Sequence, residues 1–217
     1  LQVVLLAGVV FFVSNCATMP SDQGSSEINL SNSHAVKIIE KLTKEKTENT
    51  IGDPRAYYHY LIALKAVREH QFEKAAVNFR EMAQFDSRDS KIYHQLAVNL
   101  IRSGKLDDAY EVLEQSLQKF PDNSGLNMMA GDILAGRKEY NNALVHYQNV
   151  IQIQPNSPRA YILCGTIYEH LKQYDFAKDM YKQTIRVEPG NPLGHYYLAR
   201  MNILAGELQD AKNHLMR

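Results

Sequence analysis

The stretch that decides the fold is residues 158–191, PRAYILCGTIYEHLKQYDFAKDMYKQTIRVEPGN, in which two helical patterns flank a short turn. In the first half, Tyr161, Gly165 and Tyr168 follow the i, i+4, i+7 spacing of one helix face. In the second half, Tyr181 lies four residues after a small residue, and residues four apart share a helix face. Because small residues let a second helix approach closely, the stretch predicts a helical hairpin.

Three series of residues repeat this pattern along the chain at a step of 34 residues. The first series is alanine, the second is a large residue four positions later, and the third is a proline after the second helix. Their members are Ala75, Ala109, Ala143, Ala177 and Ala211; Phe79, Leu113, Tyr147, Tyr181 and Leu215; and Pro121, Pro155 and Pro189. Gly104 and Gly206 are predicted to end helices at the turns inside their units. A fixed period of about 20–50 residues is typical of a solenoid.

The residues at these positions resemble the tetratricopeptide repeat, a helical hairpin of about 34 residues. The resemblance is fullest at Tyr161, Cys164, Gly165, Tyr168, Ala177, Tyr181 and Pro189. It is weakest in the first unit, where Ser87 stands in the place of the proline. The resemblance implies an all-α, right-handed α-solenoid of about five repeats, over residues 56–89, 90–123, 124–157, 158–191 and, incomplete, 192–217.

Charge balance and motif content exclude several classes of function. Lysine plus arginine and aspartate plus glutamate both total 24, which gives no electrostatic basis for binding nucleic acid. The sequence shows no catalytic constellation, phosphate-binding loop, metal-ligand spacing or strand pattern, so we predict no enzyme activity, cofactor or metal. Glu169 and His170 are adjacent, so on a helix they point in different directions and cannot converge on one group; we therefore predict two surface residues rather than a catalytic pair. Cys164, at a core position of its repeat, is predicted to act as a small buried hydrophobe.

The resemblance also implies a ligand site, because in this family the first helix of each unit lines a concave groove that binds peptides. In the first two units the groove positions are apolar or aromatic with arginines at the rim, which is typical of a peptide-binding hot spot. The candidate partner-binding residues are Tyr57, Tyr60, Leu64, Arg68, His94, Val98, Ile101 and Arg102. The alternative is that they pack against an N-terminal helix or line a groove without a ligand.

One class of partner is excluded by the same groove positions. The chaperone-binding members of the family use lysine at the fifth position and asparagine at the ninth position to hold a C-terminal carboxylate. Here the ninth positions are Leu64, Val98, Asp132, Thr166 and Arg200, so this clamp is missing.

The N-terminal segment, residues 1–16, resembles an export signal. Residues 3–13, VVLLAGVVFFV, form an apolar run too short to span a bilayer and of the length of a signal-peptide core. Val13-Ser14-Asn15-Cys16 resembles the lipobox of bacterial lipoproteins, which implies lipidation of Cys16, and Ala17 implies an outer-membrane protein facing the periplasm. The alternative is an ordinary export signal, or a short anchor, in which Cys16 has no role. Residues 17–55 are predicted to be a flexible tether with a short helix over residues 33–46.

These features together predict a non-enzymatic scaffold for a protein or peptide partner, exported and membrane-anchored in an assembly of the bacterial cell envelope. The alternative function is the recruitment arm of a larger enzyme, such as a glycosyltransferase or peptidase, with a catalytic domain beyond Arg217. The repeat pattern stops inside the second helix of the fifth unit, so the sequence is expected to be a fragment of a longer protein.

Overall fold

A computed structural model describes residues 2–6, 9–13 and 53–216 of this protein. The strands belong to one compact unit and the helices to another. Cys16 and the helix predicted over residues 33–46 lie outside the described residues. Among the helices of the described part, none is long and apolar enough to cross a membrane.

The N-terminal unit contains two short strands that sequence analysis did not predict. Strand β1 (Gln2–Leu6) pairs antiparallel with strand β2 (Val9–Val13), with Gln2 opposite Val13 and Leu6 opposite Val9. The expectation of no strands is therefore wrong for this segment. Its valines and phenylalanines favour extended backbone, and a short apolar run does not distinguish strand from helix by periodicity alone.

Residues 53–216 form ten helices in five consecutive hairpins, which confirms the all-α solenoid for this part of the chain. Each helix packs mainly on the helices before and after it. The first helix begins two residues before the predicted start of the repeats. The helices are α1 (Pro54–Arg68), α2 (Phe72–Phe85), α3 (Ser90–Arg102), α4 (Leu106–Lys119), α5 (Ser124–Gly136), α6 (Tyr140–Ile153), α7 (Pro158–His170), α8 (Tyr174–Val187), α9 (Pro192–Leu204) and α10 (Leu208–Leu215).

The turn inside each hairpin requires one residue with left-handed backbone. Gly104 and Gly206 adopt φ of +80° and +79° at this position, as predicted for glycines that end a helix. His70, Lys138 and Lys172 adopt φ of 57°, 63° and 59° at the equivalent position of the other units. All five turns therefore have one geometry, although only two of them carry the glycine that makes it recognisable in the sequence.

The large-residue series, four positions after each alanine, forms the centre of the solenoid core. Phe79, Leu113, Tyr147 and Tyr181 are at most 1% exposed, and the alanines of the repeat are buried beside them. Leu215, the fifth member, is 59% exposed because no later helix in the described residues packs against it. Burial at this position therefore depends on the helix hairpin that follows.

A hydrogen bond ties the first helix of three units to the preceding inter-unit turn. Asn127 Nδ2 donates to Pro121 O at 2.9 Å, the Tyr161 hydroxyl donates to Pro155 O at 3.1 Å, and His195 Nε2 lies 2.8 Å from Pro189 O. Asn127, Tyr161 and His195 stand at the position that the repeat pattern gives to the tryptophan of the first helix. A polar side chain here holds the turn after the proline and so fixes how one unit follows the next.

Candidate protein-binding groove

The solvent-exposed face of α1 carries a continuous stripe of apolar side chains. Tyr57, Tyr60, Leu61 and Leu64 follow i, i+3, i+4, i+7 spacing, and they are 53%, 36%, 48% and 43% exposed. The opposite face of α1 is buried through its alanines. The Tyr60 ring lies 6.5 Å from the ring of the buried Phe79, centroid to centroid, in an edge-on contact. Leu61 was not among the residues predicted from the sequence, because it lies beside the groove positions of the repeat register.

The predicted residues on α3 are less exposed than those on α1. His94, Val98 and Ile101 are half-buried, and Ile101 packs against the core cluster shared by the first three units. Arg102 is exposed, with its guanidinium carbon 5.4 Å from the centroid of the Phe72 ring. The structure thus divides the predicted set into an exposed apolar stripe on α1 and a shallower, partly buried surface on α3.

The basic residues Arg68 and Arg102 occupy equivalent positions in the last turns of α1 and α3. Both side chains are exposed, and within residues 53–216 neither makes an ion pair. Glu69, next to Arg68 in the sequence, pairs with Lys65 at 4.0 Å, and Glu73 pairs with Lys105. The two arginines therefore remain available as unneutralised cations.

The first helices of the later units carry charges that are neutralised across unit boundaries. Asp132 on α5 accepts a hydrogen bond from the Tyr147 hydroxyl at 2.8 Å and pairs with Arg159 of the next unit at 3.0 Å. We call these three residues the Asp132 clasp. Burial, followed by the charge of Asp132, raises the pKa of Tyr147, so its hydroxyl stays protonated and donates. The ion pair itself is exposed and adds little to stability.

A second and more buried arrangement joins the last two units. Glu169 on α7 accepts hydrogen bonds from the Tyr181 hydroxyl and from Arg200 of the following unit, and its side chain is 15% exposed. We call these three residues the Glu169 clasp. The Arg200 guanidinium also lies 4.9 Å from the centroid of the Tyr197 ring. Burial, followed by the hydrogen bond to Glu169, raises the pKa of Tyr181.

Glu169 and His170 point in different directions, as predicted, but the prediction that both belong to the surface is wrong for Glu169. Glu169 turns inward to the Glu169 clasp, while the His170 ring stacks on Tyr140, with centroids 4.9 Å apart and planes 6° apart. Both interactions reach into neighbouring units. Reasoning within one helix could not find them, because Arg200 lies 31 residues further along the chain.

Comparison with known families identifies the repeat. Family models described as "Tetratricopeptide repeat" match residues 66–133 and 158–191, and a model described as "TPR repeat" matches residues 131–172. Together these matches run without a gap from residue 66 to residue 191, which is more than half of the chain. The chain belongs to the tetratricopeptide repeat family. No curated protein sequence matches this chain.

This tetratricopeptide repeat chain also resembles several solved structures. "MamA 41-end from Desulfovibrio magneticus RS-1" is 23% identical with a TM-score of 0.67, covering 77% of this chain and 94% of that one. "Crystal structure of MamA protein" is 18% identical with a TM-score of 0.67, covering 75% and 88%. "MamA RS-1 ArsTM double mutant" is 23% identical with a TM-score of 0.68, covering 77% and 93%. At these identities the likeness concerns the fold.

Cys164, the cysteine of the described repeats, does not have the properties of a reactive thiol. Cys164 is fully buried, and burial raises the pKa of its thiol to about 12, so the thiol is neutral at physiological pH. Within residues 53–216 no three potential ligands come together to hold a metal ion. The surface features that remain are the apolar stripe of α1 and the two arginines of α1 and α3. Both suit recognition of another chain.

Proposed function

We propose that this tetratricopeptide repeat protein is a non-enzymatic scaffold that binds a protein or peptide partner through the first helices of its first two units. The observation that carries the proposal is the apolar stripe of α1, formed by Tyr57, Tyr60, Leu61 and Leu64. Exposed apolar side chains that are contiguous, rather than scattered singly, mark interaction surfaces. An extended or helical peptide would bury them together with Val98 of α3.

Tyrosines suit this role because they combine a large apolar ring with few rotatable bonds. A tyrosine that becomes buried in an interface contributes more binding free energy than most other residue types. Tyr60 is already supported by its edge-on contact with Phe79, so its ring loses less conformational freedom when a partner covers it. We therefore place the centre of the binding site at Tyr60 and Leu64.

The combined variant Tyr60→Ala and Leu64→Ala is expected to weaken partner binding at least about 30-fold, or ~2 kcal/mol, since two central contacts are lost. A photo-crosslinking amino acid at position 57 in the otherwise unchanged chain would identify the partner in cells, and purified partner would then give the dissociation constant. Val145→Ala is the matched control, because Val145 is an equally exposed apolar residue on α6, a second helix.

Circular dichroism would establish that the helices of all variants are intact. The groove proposal is wrong if the double variant binds with unchanged affinity. It is equally wrong if a crosslinker at position 145 captures the same partner as efficiently as one at position 57.

We further propose that the protein is exported and held at a bacterial membrane through lipid attached to Cys16, with residues 17–55 as the tether to the repeats. The support is the sequence alone, in the apolar run of residues 3–13 and the lipobox-like residues that precede Cys16. In this arrangement the scaffold would serve an envelope assembly from the periplasmic face of the outer membrane.

Growth with radiolabelled palmitate tests the lipid anchor. The protein is expected to incorporate label and to sediment with membranes, and Cys16→Ser is expected to lose both properties. Cys164→Ser serves as the control, because Cys164 is fully buried and should leave labelling unchanged. Membrane sedimentation of Cys16→Ser without label would show that Cys16 is not the anchor.

A further inference from the structure

We infer that the groove selects an amphipathic peptide whose apolar residues cover the α1 stripe and whose acidic side chains lie along one edge. This inference rests on the proposed function and specifies the chemistry of the partner. The observation behind it is that some arginines of the first helices have a carboxylate partner within the protein and others have none in the described part of the chain. Arg159 and Arg200, on the first helices of the last two units, pair with carboxylates of the preceding unit. Arg68 and Arg102, in the last turns of α1 and α3, make no ion pair within residues 53–216.

The two free arginines lie at one edge of the apolar stripe. Arg68 follows Leu64 by four residues on α1, and Arg102 follows Val98 by four residues on α3, so each continues the face that carries the apolar contacts. Both arginines occupy the last turn of their helices, and the two helices hold equivalent places in consecutive units. A peptide that crosses α1 and α3 therefore meets a cationic group on the same side at each helix.

Two glutamates that adjoin these positions in the sequence have lysine partners: Glu69 follows Arg68, and Glu73 follows Phe72, whose ring Arg102 contacts. Glu69 pairs with Lys65, and Glu73 pairs with Lys105. Arg102 is supported by the ring of Phe72, which holds its guanidinium without neutralising its charge.

In the later units, arginines on the first helices form ion pairs with carboxylates of the preceding unit. Arg159 pairs with Asp132, and Arg200 pairs with Glu169 through both carboxylate oxygens. A guanidinium favours carboxylates because its fork of donors matches the two oxygens. Within residues 53–216 no carboxylate pairs with Arg68 or Arg102, and a partner's aspartate or glutamate would supply one.

Charged contacts at the edge of an interface contribute more to selectivity and association rate than to affinity. An acidic peptide is attracted to Arg68 and Arg102, while a basic peptide that covers the same apolar stripe brings like charges together. Salt screens exposed charges, so the preference for acidic peptides should shrink as ionic strength rises.

Selection from a displayed library of random peptides, roughly 12 residues long, tests the inference on the full chain without knowledge of the natural partner. Enriched peptides are expected to combine aromatic or aliphatic residues with an excess of aspartate and glutamate. Their synthetic versions should bind the combined variant Arg68→Gln and Arg102→Gln at least about tenfold more weakly at low salt, with a smaller difference at high salt. Arg88→Gln is the matched control, since Arg88 is an exposed arginine of the α2–α3 loop that pairs with Asp86.

The outcomes separate this inference from the function on which it rests. Enriched peptides that are neutral or basic, yet depend on Tyr60 and Leu64, would overturn the acidic preference and leave the groove in place. Equal binding of acidic peptides to the Arg68→Gln, Arg102→Gln variant would overturn it as well. A selection in which no enriched peptide loses binding to the Tyr60→Ala, Leu64→Ala variant would overturn both the groove and its acidic preference.

Discussion

Tyr181→Ala is expected to lower the free energy of unfolding by about 3–5 kcal/mol, the range for removing a fully buried aromatic side chain. Tyr181 has no exposed surface and stacks on Tyr197 of the next unit, with ring centroids 5.0 Å apart. Its hydroxyl donates to Glu169 in the Glu169 clasp. The substitution therefore leaves a cavity between two units and removes one of the two groups that hold the Glu169 carboxylate.

Two further variants show which part of Tyr181 matters. Tyr181→Phe keeps the ring and is expected to cost about 1–3 kcal/mol, because the half-buried Glu169 loses one donor. Leu215→Ala changes the equivalent position of the fifth unit, where the side chain is already 59% exposed, and is expected to cost less than about 1 kcal/mol.

Urea unfolding followed by circular dichroism at 222 nm measures all three variants against the unchanged protein. The prediction depends on the difference between equivalent positions. Equal losses for Tyr181→Ala and Leu215→Ala would mean that the fifth unit does not cover Tyr181 in solution.

Gly165→Ala is expected to destabilise the protein by about 1–3 kcal/mol, although alanine is the better helix former by about 1 kcal/mol. A Cβ atom at position 165 would lie 2.8 Å from Tyr181 Cζ and closer still to Tyr181 Cε1. The ring cannot move aside easily, because Tyr197 stacks on it and Glu169 holds its hydroxyl. The added methyl group therefore forces α7 and α8 apart.

Gly136→Ala is the matched control. Gly136 also lies in a first helix, but a Cβ atom there would meet nothing within 4 Å, so the substitution is expected to stabilise the protein by about 0.4–1 kcal/mol. Thermal unfolding of both variants gives the comparison. Stabilisation by Gly165→Ala would show that the close approach of Tyr181 to α7 does not exist in solution.

A compensating change tests the same contact from the other side. The second unit has Ala97 and Leu113 at the positions of Gly165 and Tyr181, and both are fully buried. Adding Tyr181→Leu to Gly165→Ala is therefore expected to cost clearly less than the sum of the two single changes. Simple addition of the two losses would indicate that the residues do not share one packing site.

Much of the core could be predicted from the sequence because equivalent positions recur every 34 residues, so the residue type at one unit supports the interpretation of the same position in the others. Phe79 and Tyr147 recur four residues after an alanine, and residues four apart on a helix share a face, so the pattern predicts that each large residue packs beside its alanine; both are buried. Cys164 occupies a core position of the repeat pattern, which predicts its burial, and the structure confirms it. The turn residue Lys138 was missed, because its left-handed backbone has no signature in a lysine side chain.

The candidate site was predictable in part. Tyr57, Tyr60 and Leu64 lie on one exposed face of α1, as their spacing requires, while Ile101 is drawn into the core by contacts with neighbouring units. Leu61 was missed because the repeat register assigned it to no groove position. Whether a partner binds this face stays a prediction.

The sequence by itself determined the helical hairpin, its 34-residue step and the buried faces, because helix periodicity and close packing depend on residues near one another in the chain. Only the tertiary structure decided which charges are already neutralised. Arg159 and Arg200 pair with carboxylates on the preceding unit, whereas Arg68 and Arg102 have no such partner among residues 53–216. That difference depends on how close the side chains of different units come, and this distance is set by the packing of whole hairpins.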